Sequence, residues 1–206
     1  MPDVLRLKDI CKSIAMLNAI LMPNRDKRFF FFDDGWADGE QTASMRDDIG
    51  NSSHILFNKS GAVIKGFVYD SPTGKFAMLA KEAWPGIFEG LPEEFKGILE
   101  SRAFGGQEAS FCIWRKPADE KWRMGNFEYP SCDGSDPDGM RYLLPFFNGN
   151  PNAWKGWAKS YYDIDIPVDA IKAVFGHAPI ESSLVTLINS DLSPSELVCD
   201  IVEIGY

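Results

Sequence analysis

Apolar residues in the first stretch of the chain recur every three to four positions. Leu7, Ile10, Ile14, Leu17 and Leu21 fall on one stripe, and Pro23 closes it, so the spacing predicts a core-facing helix over residues 7–22. The period then changes. Residues 28–32 contain four consecutive phenylalanines with nothing polar between them, which reads as a strand covered on both faces. Residues 40–46 alternate, with Ala43 and Met45 on one side and Thr42, Ser44 and Arg46 on the other. Two further strands, 53–58 and 62–69, flank Asn58-Lys59-Ser60-Gly61, a connection of hairpin length. From Ser71-Pro72-Thr73-Gly74 to Trp84-Pro85-Gly86 the chain reads as irregular or briefly helical. Leu91-Pro92-Glu93-Glu94 has the proline and acids of a helix start, with Phe95, Ile98 and Leu99 as its apolar side. Residues 110–116 and 121–129 read as two more strands.

Beyond residue 129 the strand signal ends and helix starts become frequent. Asn150-Pro151 is an N-cap followed by proline at the first helical position, Ile166-Pro167 opens a second helix that Gly176 stops, and residues 181–188 form a third. Ser193-Pro194-Ser195-Glu196 is a capping box leading into Leu197, Val198, Ile201 and Val202. Strands first and helices last predict an α+β fold: an antiparallel sheet of about five to seven strands, with an N-terminal helix and a helical C-terminal portion packed on one face or end. No linker-like stretch divides the chain, so residues 1–206 read as a single domain, with the sheet portion in 1–130 and an acidic helical portion in 131–206.

Charge adds a regional asymmetry. Of the chain's net −9, the residues from Tyr161 onward carry −7, with eight acids against the single base Lys172. Such a segment suits a basic protein partner and argues against a nucleic-acid partner. Arg6, Lys8 and Lys12 ahead of residues 14–22 superficially resemble a signal peptide, but Asn18 breaks the run and no small-residue cleavage site follows, so a cytoplasmic protein is expected. No stretch approaches the ~20 apolar residues that span a bilayer, so no membrane partner is expected. Cys11, Cys112, Cys132 and Cys199 are scattered and read as buried free thiols.

Known chemical motifs are missing. No P-loop, GxGxxG, HExxH or GxSxG occurs, and neither catalytic residues, a cofactor nor a metal is predicted. Asp133-Gly134-Ser135-Asp136-Pro137-Asp138-Gly139 concentrates carboxylates but fits the calcium-loop pattern in no register, and reads as an acidic turn. His54, at the start of a strand and within reach of Ser44 or Cys112, is expected to hydrogen-bond to backbone; His177 is expected to help cap a helix end. The six tryptophans and fifteen phenylalanines read mostly as core, with Trp36 and Trp114 the hardest to bury. Alternation supplies one candidate binding face: if Ala43 and Met45 point inward, then Thr42, Ser44, Arg46, Lys65, Trp114 and Arg123 share the other side of the sheet.

Several stretches resemble a bacterial family of similar length and acidity to which no activity is assigned: residues 35–46, Ile64-Lys65-Gly66-Phe67, Trp84-Pro85-Gly86, Phe111-Cys112-Ile113-Trp114, Asp136-Pro137-Asp138-Gly139 and Glu203-Ile204-Gly205-Tyr206. Leu91-Pro92-Glu93-Glu94-Phe95 with Ile98-Leu99 is similar to the LP-helix of the SMI1/KNR4-like immunity proteins, which neutralise bacterial toxins by binding them. That resemblance implies a non-enzymatic protein-binding role. The alternative is a small-molecule-binding protein or enzyme whose site is assembled from sequence-distant residues.

Overall fold

The computed structural model describes residues 1–131 and 136–206. Asp3 caps the first helix, α1 (Val4–Leu21), by accepting from the Arg6 amide. Every residue from 13 to 21 is buried, so α1 is a central helix and not one with a single apolar stripe. Its polar Asn18 is accommodated by a short relay: Nδ2 donates to the Ile14 carbonyl, Oδ1 accepts from the Tyr162 hydroxyl at 2.6 Å, and that oxygen accepts from the Phe29 amide.

Six strands follow in a meander: β1 (Phe30–Ala37), β2 (Glu40–Arg46), β3 (Ser52–Asn58), β4 (Gly61–Phe67), β5 (Phe111–Arg115) and β6 (Arg123–Met124), each antiparallel to the next. Helix α2 (Pro72–Ala80), capped by Ser71, and the single turn α3 (Gly97–Glu100) interrupt the sheet between β4 and β5. The C-terminal portion is helical: α4 (Met140–Leu143), α5 (Pro151–Tyr162), α6 (Val168–Phe175), α7 (Ser182–Ile188) and α8 (Val198–Ile204). Asn150 and the Ser193–Glu196 box cap their helices as the sequence predicts. The fold is α+β, with one six-stranded antiparallel sheet, as expected.

Register fixes which residues share a face. Phe30, Phe32, Ala43, Met45, Ile55, Phe57, Ile64, Phe111 and Ile113 lie in the main core with α1 and the C-terminal helices. On the opposite face Leu56, Val63 and Trp114 form a second core with Ile87, Leu91, Phe95, Ile98 and Phe104. The helix expected after Leu91-Pro92 is thus a 3-10 turn at Glu93–Phe95 followed by α3, and its apolar side packs on the sheet.

Two strand expectations need correction. Phe31 is half-buried, with the Arg25 guanidinium over its ring, because β1 is an edge strand and the second core spans only β3 to β5. The strand expected over 121–129 shrinks to β6, since Gly125 presses onto the backbone of residues 86–87, where a Cβ would stand 2.0 Å from the Gly86 carbonyl oxygen. The chain then runs beside that segment, and Trp84 donates from Nε1 to the Glu128 carbonyl at 2.9 Å.

Candidate functional site

The six residues predicted to share a face do so, in three cross-strand rows. Thr42, Leu56, Val63, Trp114 and Arg123 form one; Ser44, His54, Lys65 and Cys112 a second; Arg46, Ser52 and Phe67 a third. They do not make an open binding surface, because the second core covers it: Trp114 is 4 % exposed and Lys65 2 %. Thr42 is also buried, and Ser44 half-buried. Arg46 and Arg123 are exposed, the latter paired to Asp119 at 2.6 Å. Trp114, expected to be hard to bury, is core, whereas Trp36 is exposed and rests on Phe104, ring centroids 5.3 Å apart.

What the cover leaves is a small polar pocket of about 200 Å³ over the second row, lined by Ser52, His54, Lys65, Phe104, Gly105 and Glu108. Strands β3 and β4 supply the reactive pair: the hairpin register sets His54 directly opposite Lys65. A 3-10 turn, Arg102–Phe104, and two consecutive left-handed glycines, Gly105 (φ 73°) and Gly106 (φ 58°), fold the covering segment back. That reversal aims the Gly106 carbonyl at Lys65 Nζ, the one hydrogen bond the ammonium makes among the described residues. Glu108 stands at the wall and leans to Lys81 at 3.7 Å.

Burial sets the electrostatics. It lowers Lys65 to about 8, against the opposing influence of Cys112 and Glu108, so the side chain remains an ammonium at neutral pH. Burial, then the charge of Lys65, lower His54 to about 4 and keep its imidazole neutral. Cys112 is pushed up to about 12 and stays a thiol, which removes it as a nucleophile. His54 was expected to bond to backbone; instead its Nδ1 is sealed with no partner, and its ring lies 5.6 Å from that of Phe104. A sealed lone pair costs less than a sealed N–H, so we assign the proton to Nε2, the nitrogen that is not sealed. The pocket therefore offers two kinds of donor, an ammonium and an imidazole N–H, and no side-chain carboxylate bonded to either among the described residues.

Other expectations resolve locally. His177 adopts φ 54° just past α6, donates from its amide to the Val174 carbonyl and stacks on Tyr206. Asp136 accepts from the Arg141 and Tyr142 amides and Asp138 from Met140 and the Tyr129 hydroxyl; Asp133, Gly134 and Ser135 lie outside the described residues, as does Cys132. No group of metal-ligating side chains occurs among the described residues. Cys11 and Cys112 are buried, but Cys199 is exposed, because it falls on the outer side of α8. Half of the eight acids from Tyr161 onward are in internal pairs: Asp200 with Arg28, Glu203 with Arg25, Asp165 with Lys155 and Asp169 with Lys172. No helix among the described residues is long and apolar enough to cross a membrane. Comparison with family models, with curated proteins and with solved structures finds no match.

Proposed function

We propose that the protein binds a small organic anion, a carboxylate, in the pocket between β3, β4 and the Gly105–Gly106 turn. The observation that carries this reading is Lys65: an ammonium 2 % exposed, bonded to one carbonyl and to no carboxylate among the described residues. Isolated buried charges are costly, and proteins keep them where a ligand uses them. A carboxylate accepting from Lys65 Nζ and from His54 Nε2–H would supply in direct contact the counter-charge that Glu108 gives only from a distance. The space, equivalent to roughly six or seven waters at ~30 Å³ each, suits a ligand of a few carbons.

The test is a thermal-shift and calorimetric titration with acetate, succinate and inorganic phosphate, on the native protein and on Lys65→Met. The expected result is a Tm increase with a carboxylate that Lys65→Met abolishes. Affinity should fall tenfold per pH unit above about pH 8, where the free lysine loses its proton. If none of the anions binds, or the variant binds them equally, the reading fails.

The protein-partner reading rests on a separate feature. An open groove between α6 and α7, floored by Ala170, Ala173 and Leu184 and flanked by Glu181 and the exposed Leu187, suits a basic, partly apolar segment of a partner, as an immunity-like role requires. Failure of every anion would leave this reading standing alone.

A further inference from the structure

A second cavity lies on the opposite side of the sheet, between β2, the turn after α4, α5 and α6, and encloses about 220 Å³. Its floor is buried Phe29, Met45, Leu143, Trp154 and Phe175. Phe146 and Trp157 stand as walls, 4.8 Å apart edge to face, and each lies within 5.2 Å of Phe29. None of its lining side chains carries a formal charge. A site of this kind favours a flat, uncharged molecule that meets ring edges and faces.

Two asparagines define its polar end. Asn148 Oδ1 accepts from the Asn150 amide at 2.7 Å, and Asn150 Oδ1 caps α5 by accepting from the Asn152 and Ala153 amides. Backbone amides take up the acceptor capacity of the Asn150 oxygen and part of that of Asn148, so these side chains offer chiefly their NH2 groups, and both residues line the cavity near its exposed edge. Below them the Trp154 Nε1–H is sealed without an acceptor, a second orphaned polar group beside a cavity.

We propose that this cavity is a binding site for a small neutral aromatic ligand carrying a hydrogen-bond acceptor, its ring held among Phe29, Phe146 and Trp157 and its acceptor met by the amides of Asn148 and Asn150. It is independent of the anion pocket, since the two share no residue.

Quinoline and naphthalene, alike in shape but only one bearing a ring nitrogen, separate the two halves of the claim. Saturation-transfer NMR and titration should find both bound by the native protein, quinoline tighter by about five- to tenfold, as one hydrogen bond implies. Ala153→Phe, at an exposed position of α5, fills the mouth and should abolish both. The double variant N148D/N150D keeps both capping oxygens but removes the donors, and should erase the preference for quinoline while leaving naphthalene within twofold. No binding of either probe, binding unaffected by Ala153→Phe, or a preference that survives in the double variant would each overturn the proposal. Circular dichroism of both variants establishes that each is folded before its binding is read.

Discussion

The cavity beneath α5 and the pocket under the Gly105–Gly106 turn back onto opposite faces of one sheet, and they differ in what their walls cost. Phe29, Phe146 and Trp157 lose water gladly and gain ring contacts, so that wall stabilises the fold. Lys65 loses water at a penalty that Cys112 and Glu108 only partly offset, and His54 at one to which the charge of Lys65 adds. A residue that packs and a residue kept despite its packing can stand on the two faces of one sheet. The second kind is the stronger indication of a ligand.

The contrast can be tested by substitution. The largest expected effect is on the apolar side: Phe29→Ala removes a ring that touches Phe146, Trp157 and Tyr161, and should cost about 3–5 kcal/mol in urea denaturation. A loss under ~1 kcal/mol would mean the array can collapse to fill the gap.

Next comes acid. His54 titrates at about 4 when folded and near 6.5 when unfolded, so the unfolded chain binds more protons between those values and stability drains as pH falls through that window. The loss attributable to this residue approaches about 3 kcal/mol below pH 4. Native protein and His54→Phe should diverge across pH 6.5 to 4 and run parallel above it. Parallel curves throughout would remove the buried imidazole from the account.

The smallest effect has the opposite sign. Lys65→Met should raise stability at pH 7 by about 2 kcal/mol, after allowance for the lost bond to Gly106. The folded lysine titrates lower than the unfolded one, so its penalty is complete below about pH 8 and vanishes by 10.5, and the advantage of methionine should fade across that range. A destabilised Lys65→Met would make the lysine structural and erase the contrast between the two walls.

How much of this was readable in advance depended on range. Caps at Asn150 and Ser193 are local devices and announced themselves. So did the alternation in β2, which correctly put Ala43 and Met45 opposite Thr42, Ser44 and Arg46. The cover over Lys65 is made by residues some 40 positions away, and no local pattern reports it. A signal was nonetheless present: Ala62-Val63-Ile64 is an unbroken apolar run in β4, which calls for a core on each face of the sheet, and all three are wholly buried. The pairing of His54 with Lys65 also follows from the Asn58–Gly61 hairpin by counting four residues back along one strand and four forward along the other. The burial of the aromatic runs was legible, but the cavity among them was not, because a void depends on how well distant side chains fill space.

The clasp between the two ends of the chain bears on how the protein comes into being. Arg28 meets Asp200 across 172 positions, and Lys12 reaches the Gly205 carbonyl across 193. During synthesis α1 and β1 emerge long before α8, the element that closes over them. Until then Phe30 and Phe32 belong to an edge strand whose apolar side lacks part of its cover. Closing so long a loop is entropically costly and must precede its reward, so the nascent chain is expected to keep part of this apolar side exposed until α8 docks. Chaperone dependence in the cell would be written into that topology and not into any weakness of the finished fold.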